Sequence, residues 1–191
     1  CESITATTLH KFCMSILMKH RVIQKLSRHP RMLTSYLDKK IYKFECAPMI
    51  SDVMCCNFFG TRRKNISKMI RLYEAAWASL QSQTPGWPTD PTEKQFNGIL
   101  VDWLRFHKAM LIGEMVPMAL KYLMDNPAFP EGKRFDYVVV DEYQDLNKAD
   151  QTVIEYMSQG KQTLIVGDVN QSIYSFRYAN PEGIVEYHRG D

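Results

Sequence analysis

The sequence predicts an α/β fold, a parallel sheet with flanking helices that carries a mainly helical inserted subdomain. Three stretches predict it. Between Phe135 and Val166 an apolar run, a helix-patterned segment and a second apolar run follow one another on ~30 residues, the footprint of a parallel βαβ unit buried on both faces. From Pro30 to about Asn126 the apolar residues recur mainly at helical spacing. At the start, the β-branched stretch Ser3–Thr7 leads into an amphipathic pattern, as a strand leads into a helix.

Taken in order, Ser3–Thr7 is expected to be the end of a strand. Leu9, Phe12, Cys13, Ile16 and Leu17 then line one face of a helix running to about Lys25, with Lys11, Lys19 and Arg21 elsewhere on the wheel. The middle is expected to hold helices around Met32–Phe44, Ile66–Leu80 and Phe96–Met124, the last kinked by Pro117. Thr84–Pro91, T-P-G-W-P-T-D-P, is too rich in proline for a helix and is expected to be a loop. Tyr137–Val140 and Thr163–Val166 are the expected strands of the βαβ unit, joined by a helix over about Lys148–Met157.

Composition sets the class. With 191 residues, 45% hydrophobic and 24% charged, the chain has the make-up of a folded globular protein, sized for one core or one domain plus an inserted subdomain. No apolar stretch approaches the ~20 residues that cross a bilayer. Cys1 stands where a methionine would begin a reading frame, and no basic segment followed by an apolar one opens the chain, so the expectation is a start inside a longer frame without a signal peptide. Five cysteines form no C-x-x-C pair and five histidines no H-x-x-x-H, which predicts reduced thiols in a cytoplasmic protein rather than a zinc site. The net charge is only +3, but Lys19, Arg21, Lys25, Arg28 and Arg31, and then Arg62, Arg63, Lys64 and Lys68, are local basic clusters. They suit either polyanion contact or a solvated helix face.

The chemistry gathers where the expected strands end. After Val138-Val139-Val140 come Asp141 and Glu142. In open α/β sheets ligands bind outside the carboxyl ends of strands, and two adjacent carboxylates repel unless a cation or an assigned proton role separates them. One of them holding Mg²⁺ and the other orienting an attacking water is one solution. An acidic turn capping the next helix, with Asn147 nearby, is another. Beyond the second strand, Gly167 permits a tight exit, Gln171 offers both a donor and an acceptor to a phosphate and a water, and Arg177 is a rigid fork for oxyanions. Tyr174 and Phe176 alternate with Ser175 and Arg177, which makes either a platform for unstacked bases or a half-buried strand.

The run V-V-V-D-E-Y-Q-D-L-N, followed by L-I-V-G-D-V-N-Q-S-I-Y-S-F-R-Y-A, resembles motifs II and III of the UvrD/Rep/PcrA branch of superfamily I helicases. Thr7-Thr8-Leu9-His10 resembles, more weakly, that family's T-F-H segment. The resemblance is strong over Phe135 to about Ile184 and moderate over Ile4–Lys19; the helical middle matches only as an inserted 1B subdomain would.

The resemblance implies a partial RecA-like P-loop NTPase domain, with 1–29 and 131–191 belonging to domain 1A and 30–130 to a helical 1B-like insertion. It implies ATP and Mg²⁺ as cofactors, and single-stranded DNA and its junctions with duplex as partners, worked on in the 3′ to 5′ direction. Asp141 would bind Mg²⁺, Glu142 would activate water, and Gln171 would contact the γ-phosphate. Gln144 and Asp145 would shape the same nucleotide site. Arg177 would sit between nucleotide and DNA, Tyr174 and Phe176 would stack on bases, and Thr8 and His10 would follow the backbone of that strand. The motor of a RecB/AddA-like helicase-nuclease and a degenerate, non-catalytic DNA-binding module are the rival expectations.

Two residues depart from the pattern: Phe176 stands where tryptophan is frequent, and Tyr178 replaces a small residue after the arginine. No G-x-x-x-x-G-K-[ST] occurs, because Gly132-Lys133 and Gly160-Lys161 have Pro127 and Glu155 where the first glycine belongs. In the family this loop lies upstream of the T-F-H segment and a second motor domain lies downstream. The expectation is therefore an ATPase parent whose 191-residue portion alone hydrolyses nothing measurable.

Overall fold

A computed structural model describes residues 4–22, 31–33, 63–128, 135–171 and 178–183. Helix α1, Leu9–Lys19, starts where Thr8 accepts a hydrogen bond from the Lys11 N–H and buries Cys13, Ile16 and Leu17, one face of the wheel. It stops at His20, short of the expected Lys25, and Arg21 turns the chain with φ 54°. The strand expected over Ser3–Thr7 is not met from Ile4 onward, and Ile4 is 96% exposed. A strand needs a paired neighbour, and none flanks this stretch among the described residues.

Among the described residues, the middle of the chain is less purely helical than its periodicity suggests. Strand β1, Arg31–Leu33, lies where the helix around Met32–Phe44 was expected to begin, and the rest of that expected helix lies outside the described residues. Helix α2, Arg63–Ala78, covers the expected segment around Ile66. The expected loop is present, and at its end Asp90 accepts from the N–H groups of Thr92 and Glu93 while Pro91 opens helix α3, Pro91–Phe106. The long helix expected over Phe96–Met124 is instead two helices. Strand β2, Ala109–Leu111, separates α3 from helix α4, Met115–Asp125. Pro117 falls in the first turn of α4, where no intrahelical N–H is needed, so it makes no kink.

β1 and β2 pair in parallel, with Met32 opposite Met110. Successive residues of β2 point to opposite sides. Ala109 and Leu111 enter a cluster with Met69, Tyr73 and Trp77 of α2 and Phe96, Leu100 and Leu104 of α3. Met110 enters a second cluster built by α1, α4 and the later helix α5. Tyr73 centres the first, its ring 4.9 Å from Trp87 and 5.4 Å from Phe96, and its hydroxyl donating to the Glu93 carbonyl at 2.7 Å.

The βαβ unit appears close to where the sequence places it. Strand β3 is Tyr137–Val140, helix α5 is Lys148–Ser158, and strand β4 is Gln162–Ile165, one residue earlier than expected. β3 and β4 are parallel, with Val140 opposite Ile165. The expected burial on both faces is not met, since Tyr137 and Val139 are 67% and 69% exposed and Leu164 is 58% exposed. Among the described residues α5 covers one face of this pair, and nothing covers the other. No helix among them is long and apolar enough to cross a membrane.

Candidate functional site

The parallel register brings the ends of β3 and β4 side by side. Pairing continues past the strands, as the Val166 N–H donates to the Val140 carbonyl at 2.8 Å and the Tyr143 N–H to the Val166 carbonyl at 3.1 Å. The two turns that follow, Asp141–Asp145 and Gly167–Gln171, are thereby held against each other at one edge of the sheet.

Asp141 and Glu142 are both exposed there. The Asp141 Oδ1 accepts from the Glu142 N–H at 2.9 Å, which turns the backbone sharply. Glu142 has φ 54° and ψ 40°, a left-handed conformation that costs a non-glycine residue about 1–2 kcal/mol. Strain of this kind persists where the surroundings enforce it and clusters at functional sites. Here a buried 3-10 turn, Tyr143–Asp145, enforces it from the C-terminal side, with the Asp145 N–H donating to the Glu142 carbonyl at 2.9 Å.

Gln144 is buried, 1% exposed, and spends both ends of its amide on the site. Its Nε2 donates to the Glu142 Oε2 at 2.6 Å, and its Oε1 accepts from the Asp168 N–H at 3.0 Å. Asp168 in turn accepts from the Gln171 Nε2 at 2.9 Å and from the Asn170 N–H at 2.9 Å. The Gln171 amide, and after it the Asn170 N–H, hold the Asp168 carboxyl below the usual carboxylate range. An unbroken line of hydrogen bonds thus runs from Glu142 through Gln144 and Asp168 to Gln171.

Of the residues singled out in the sequence, the structure gathers Asp141, Glu142, Gln144, Asp145 and Gln171. Thr8 and His10 begin α1, whose neighbours are α4 and α5. There the His10 charge partly offsets the effect of burial, which pushes the Asp150 carboxyl up. Tyr174, Phe176 and Arg177 lie outside the described residues.

Sequence reading passed over Asp168, although D-x-N-Q is the spacing at which an aspartate turns back on its own backbone two residues on. It also missed the anchoring of 178–183. Gln151, 3% exposed on α5, donates to the Asn180 carbonyl at 2.7 Å and accepts from the Asn180 Nδ2 at 2.8 Å. Tyr178 adopts φ 62°, the left-handed region that favours glycine. Its hydroxyl donates to the Arg71 carbonyl of α2 at 3.1 Å.

Exposed carboxylates at the end of a parallel strand, with an amide held beside them, fit the metal and terminal-phosphate side of a magnesium nucleotide. A cradle of backbone N–H groups and a lysine for the inner phosphates is not supplied by any G-x-x-x-x-G-K-[ST] in the sequence.

The family model for the UvrD/REP helicase N-terminal domain matches residues 1–189. An ATP-dependent helicase/nuclease protein of Alkaliphilus oremlandii is 29% identical over 164 residues, 82% of this chain and 13% of that protein. The ATP-dependent helicase/nuclease protein of Streptococcus pneumoniae is 48% identical over 102 residues, 50% of this chain and 8% of that protein. The exonuclease/helicase protein RexA of Lactococcus lactis subsp. cremoris is 35% identical over 78 residues, 40% of this chain and 6% of that protein. The chain therefore spans a small part of the length of these relatives.

Proposed function

This chain belongs to the UvrD/REP helicase N-terminal domain family, and from that premise we propose that it is part of the first, RecA-like motor domain of an ATP-dependent DNA helicase. In the intact protein it would translocate 3′ to 5′ along single-stranded DNA and open junctions with duplex. The observation that carries this is the hydrogen-bonded line from Glu142 to Gln171 across the ends of two parallel strands.

Asp141 would hold Mg²⁺, which when bound neutralises charge on the terminal phosphates. Glu142 would accept a proton from the attacking water, and its strained backbone fixes the carboxylate at the turn. Gln171 would meet the γ-phosphate, with Gln144 and Asp145 shaping the turn behind it. Arg177, Tyr174 and Phe176 keep the roles the family resemblance gives them, between nucleotide and DNA and against the bases. Thr8 and His10 keep theirs along the DNA backbone.

The helical insertion, expected over 30–130, would on this reading end earlier, near Leu111, because α4 shares its apolar cluster with α1 and α5 rather than with α2 and α3. Lacking a G-x-x-x-x-G-K-[ST] loop, the 191 residues alone would turn over no ATP. Reduced thiols fit a cytoplasmic setting.

A second reading makes the same motor part of a helicase-nuclease, and the names of the relatives favour it. Duplexes with a 3′ or a 5′ single-stranded tail test the motor assignment in the intact protein. Unwinding of the 3′-tailed substrate alone is expected. Unwinding from the 5′ tail would overturn the direction, and binding without ATP-driven unwinding of either would favour a non-catalytic DNA-binding module. Degradation of the displaced strand would add the nuclease.

A further inference from the structure

We propose that Gln144 is a positioning residue for hydrolysis, its amide tying the Glu142 carboxylate to the turn that bears Asp168 and Gln171. The water-activating acid and the phosphate-facing amide are then oriented as one unit. This rests on the nucleotide-hydrolysing reading above and extends it to a buried residue that acts through Glu142 and Asp168.

A buried glutamine commonly satisfies its amide on nearby backbone, where any partner would serve. Gln144 uses backbone at one end only, and that backbone is distant in sequence. Its donor end meets a side chain whose own backbone is held at φ 54°, and its acceptor end meets the first N–H after Gly167 on the neighbouring strand's turn. The partners lie 24 residues apart in sequence on the acceptor side, so no local turn requires this bond. Asp168 carries the connection onward, since the carboxylate following that N–H accepts the Gln171 amide at 2.9 Å. Gln144 is 1% exposed while Asp141, Glu142, Asp168 and Gln171 are exposed, so the one buried member of the line sits behind the surface groups it joins. Its two ends are chemically distinct, which makes the link directional. A carboxamide donates to Glu142 from one end and accepts from Asp168 at the other, which neither a carboxylate nor a thioether of the same length can do.

Three substitutions separate the parts. Gln144→Met keeps length and burial but removes both hydrogen bonds. Gln144→Glu keeps an acceptor for the Asp168 N–H and sets a second carboxylate against Glu142. Gln171→Ala removes the far end of the line.

Hydrogen exchange on the intact protein, with nucleotide withheld, reads the link. The Asp168 amide is expected to exchange faster in Gln144→Met than in wild type, while α5 amides keep their rates. DNA-stimulated hydrolysis by the intact protein reads the consequence. In both Gln144 variants kcat is expected to fall by about 10²-fold, the scale on which misplacement of a catalytic group acts, with KM for ATP within a few fold of wild type. Combining Gln144→Met with Gln171→Ala should lower kcat little beyond the worse single change, because both break one line.

Unchanged Asp168 exchange, a kcat within about twofold of wild type, or losses that multiply in the double variant would each overturn the proposal. So would loss of the α5 protection together with kcat, since Gln144 would then be holding the fold. An intact wild-type protein without DNA-stimulated hydrolysis would remove the functional reading itself, and the exchange result would still report on the link.

Discussion

Glu74 on α2 carries a carboxyl that burial pushes up to about 7 from 4.5, against the opposing charge of Arg71. Its folded-state value lies above its unfolded one, so its contribution to stability is fully present below about 4.5 and is lost as pH rises through about 7. Thermal melting should therefore show a Tm that declines from about pH 5 to about pH 8, and Glu74→Gln should flatten that decline. The opposite slope would contradict the burial of this side chain. Cys13 makes a second residue-scale case. Burial, then the Asp150 charge, push its thiol up to about 12, so almost no thiolate exists at about pH 8. Mass spectrometry after treatment with an alkylating reagent should find Cys13 unmodified in the folded chain and modified in urea. The candidate site residues that the structure gathers were the most legible of all, because Asp141, Glu142 and Gln171 sit in long motifs whose order follows the chain. Gln144 was legible as a motif member but not as a bridge, since its partner Asp168 is reached only once two strands pair.

Elements were readable where their signals are local. Thr8, Asp90 and Asn147 each cap a helix, and Asn147 with Asp150 forms a reciprocal pair of hydrogen bonds. Asn147→Ala should cost about 1 kcal/mol in denaturant unfolding. What periodicity could not supply was the break between α3 and α4. The three residues of β2 are all buried, and a short buried strand is indistinguishable from a turn of buried helix until β1 pairs with it. The docking of 178–183 was equally invisible, resting on Gln151 and Asn180 from distant parts of the chain. It makes a sharp prediction at Gly183, where an added Cβ would lie 2.3 Å from the Gln151 Oε1. Gln151 cannot swing aside without giving up Asn180, so Gly183→Ala should destabilise by about 1–3 kcal/mol, the scale of a disrupted buried polar pair. A neutral substitution in denaturant melts would mean that this segment does not pack on α5.

Over the whole molecule, β2 lies between two apolar clusters, sending Ala109 and Leu111 into one and Met110 into the other. That arrangement makes cooperative unfolding the expectation. All three tryptophans, Trp77, Trp87 and Trp103, belong to the cluster of α2 and α3, so their fluorescence reports on one side. Helical circular dichroism reports on both. The two signals should trace one transition, and Met110→Ala should shift both together by about 2–5 kcal/mol. The fold class was legible because a parallel βαβ unit writes its strands as apolar runs, whereas the cover of the second sheet face cannot be read from strand composition. At this scale the chain's placement in the UvrD/REP helicase N-terminal domain family meets the geometry of its own turns. The test is ATP hydrolysis by the intact protein, wild type against Glu142→Gln, with single-stranded DNA added and withheld. Hydrolysis that rises with DNA in the wild type and falls by about 10²–10⁴-fold in the variant, with nucleotide still bound, is expected of a motor whose water is activated by Glu142. Hydrolysis that ignores DNA, or that survives the substitution, would contradict it.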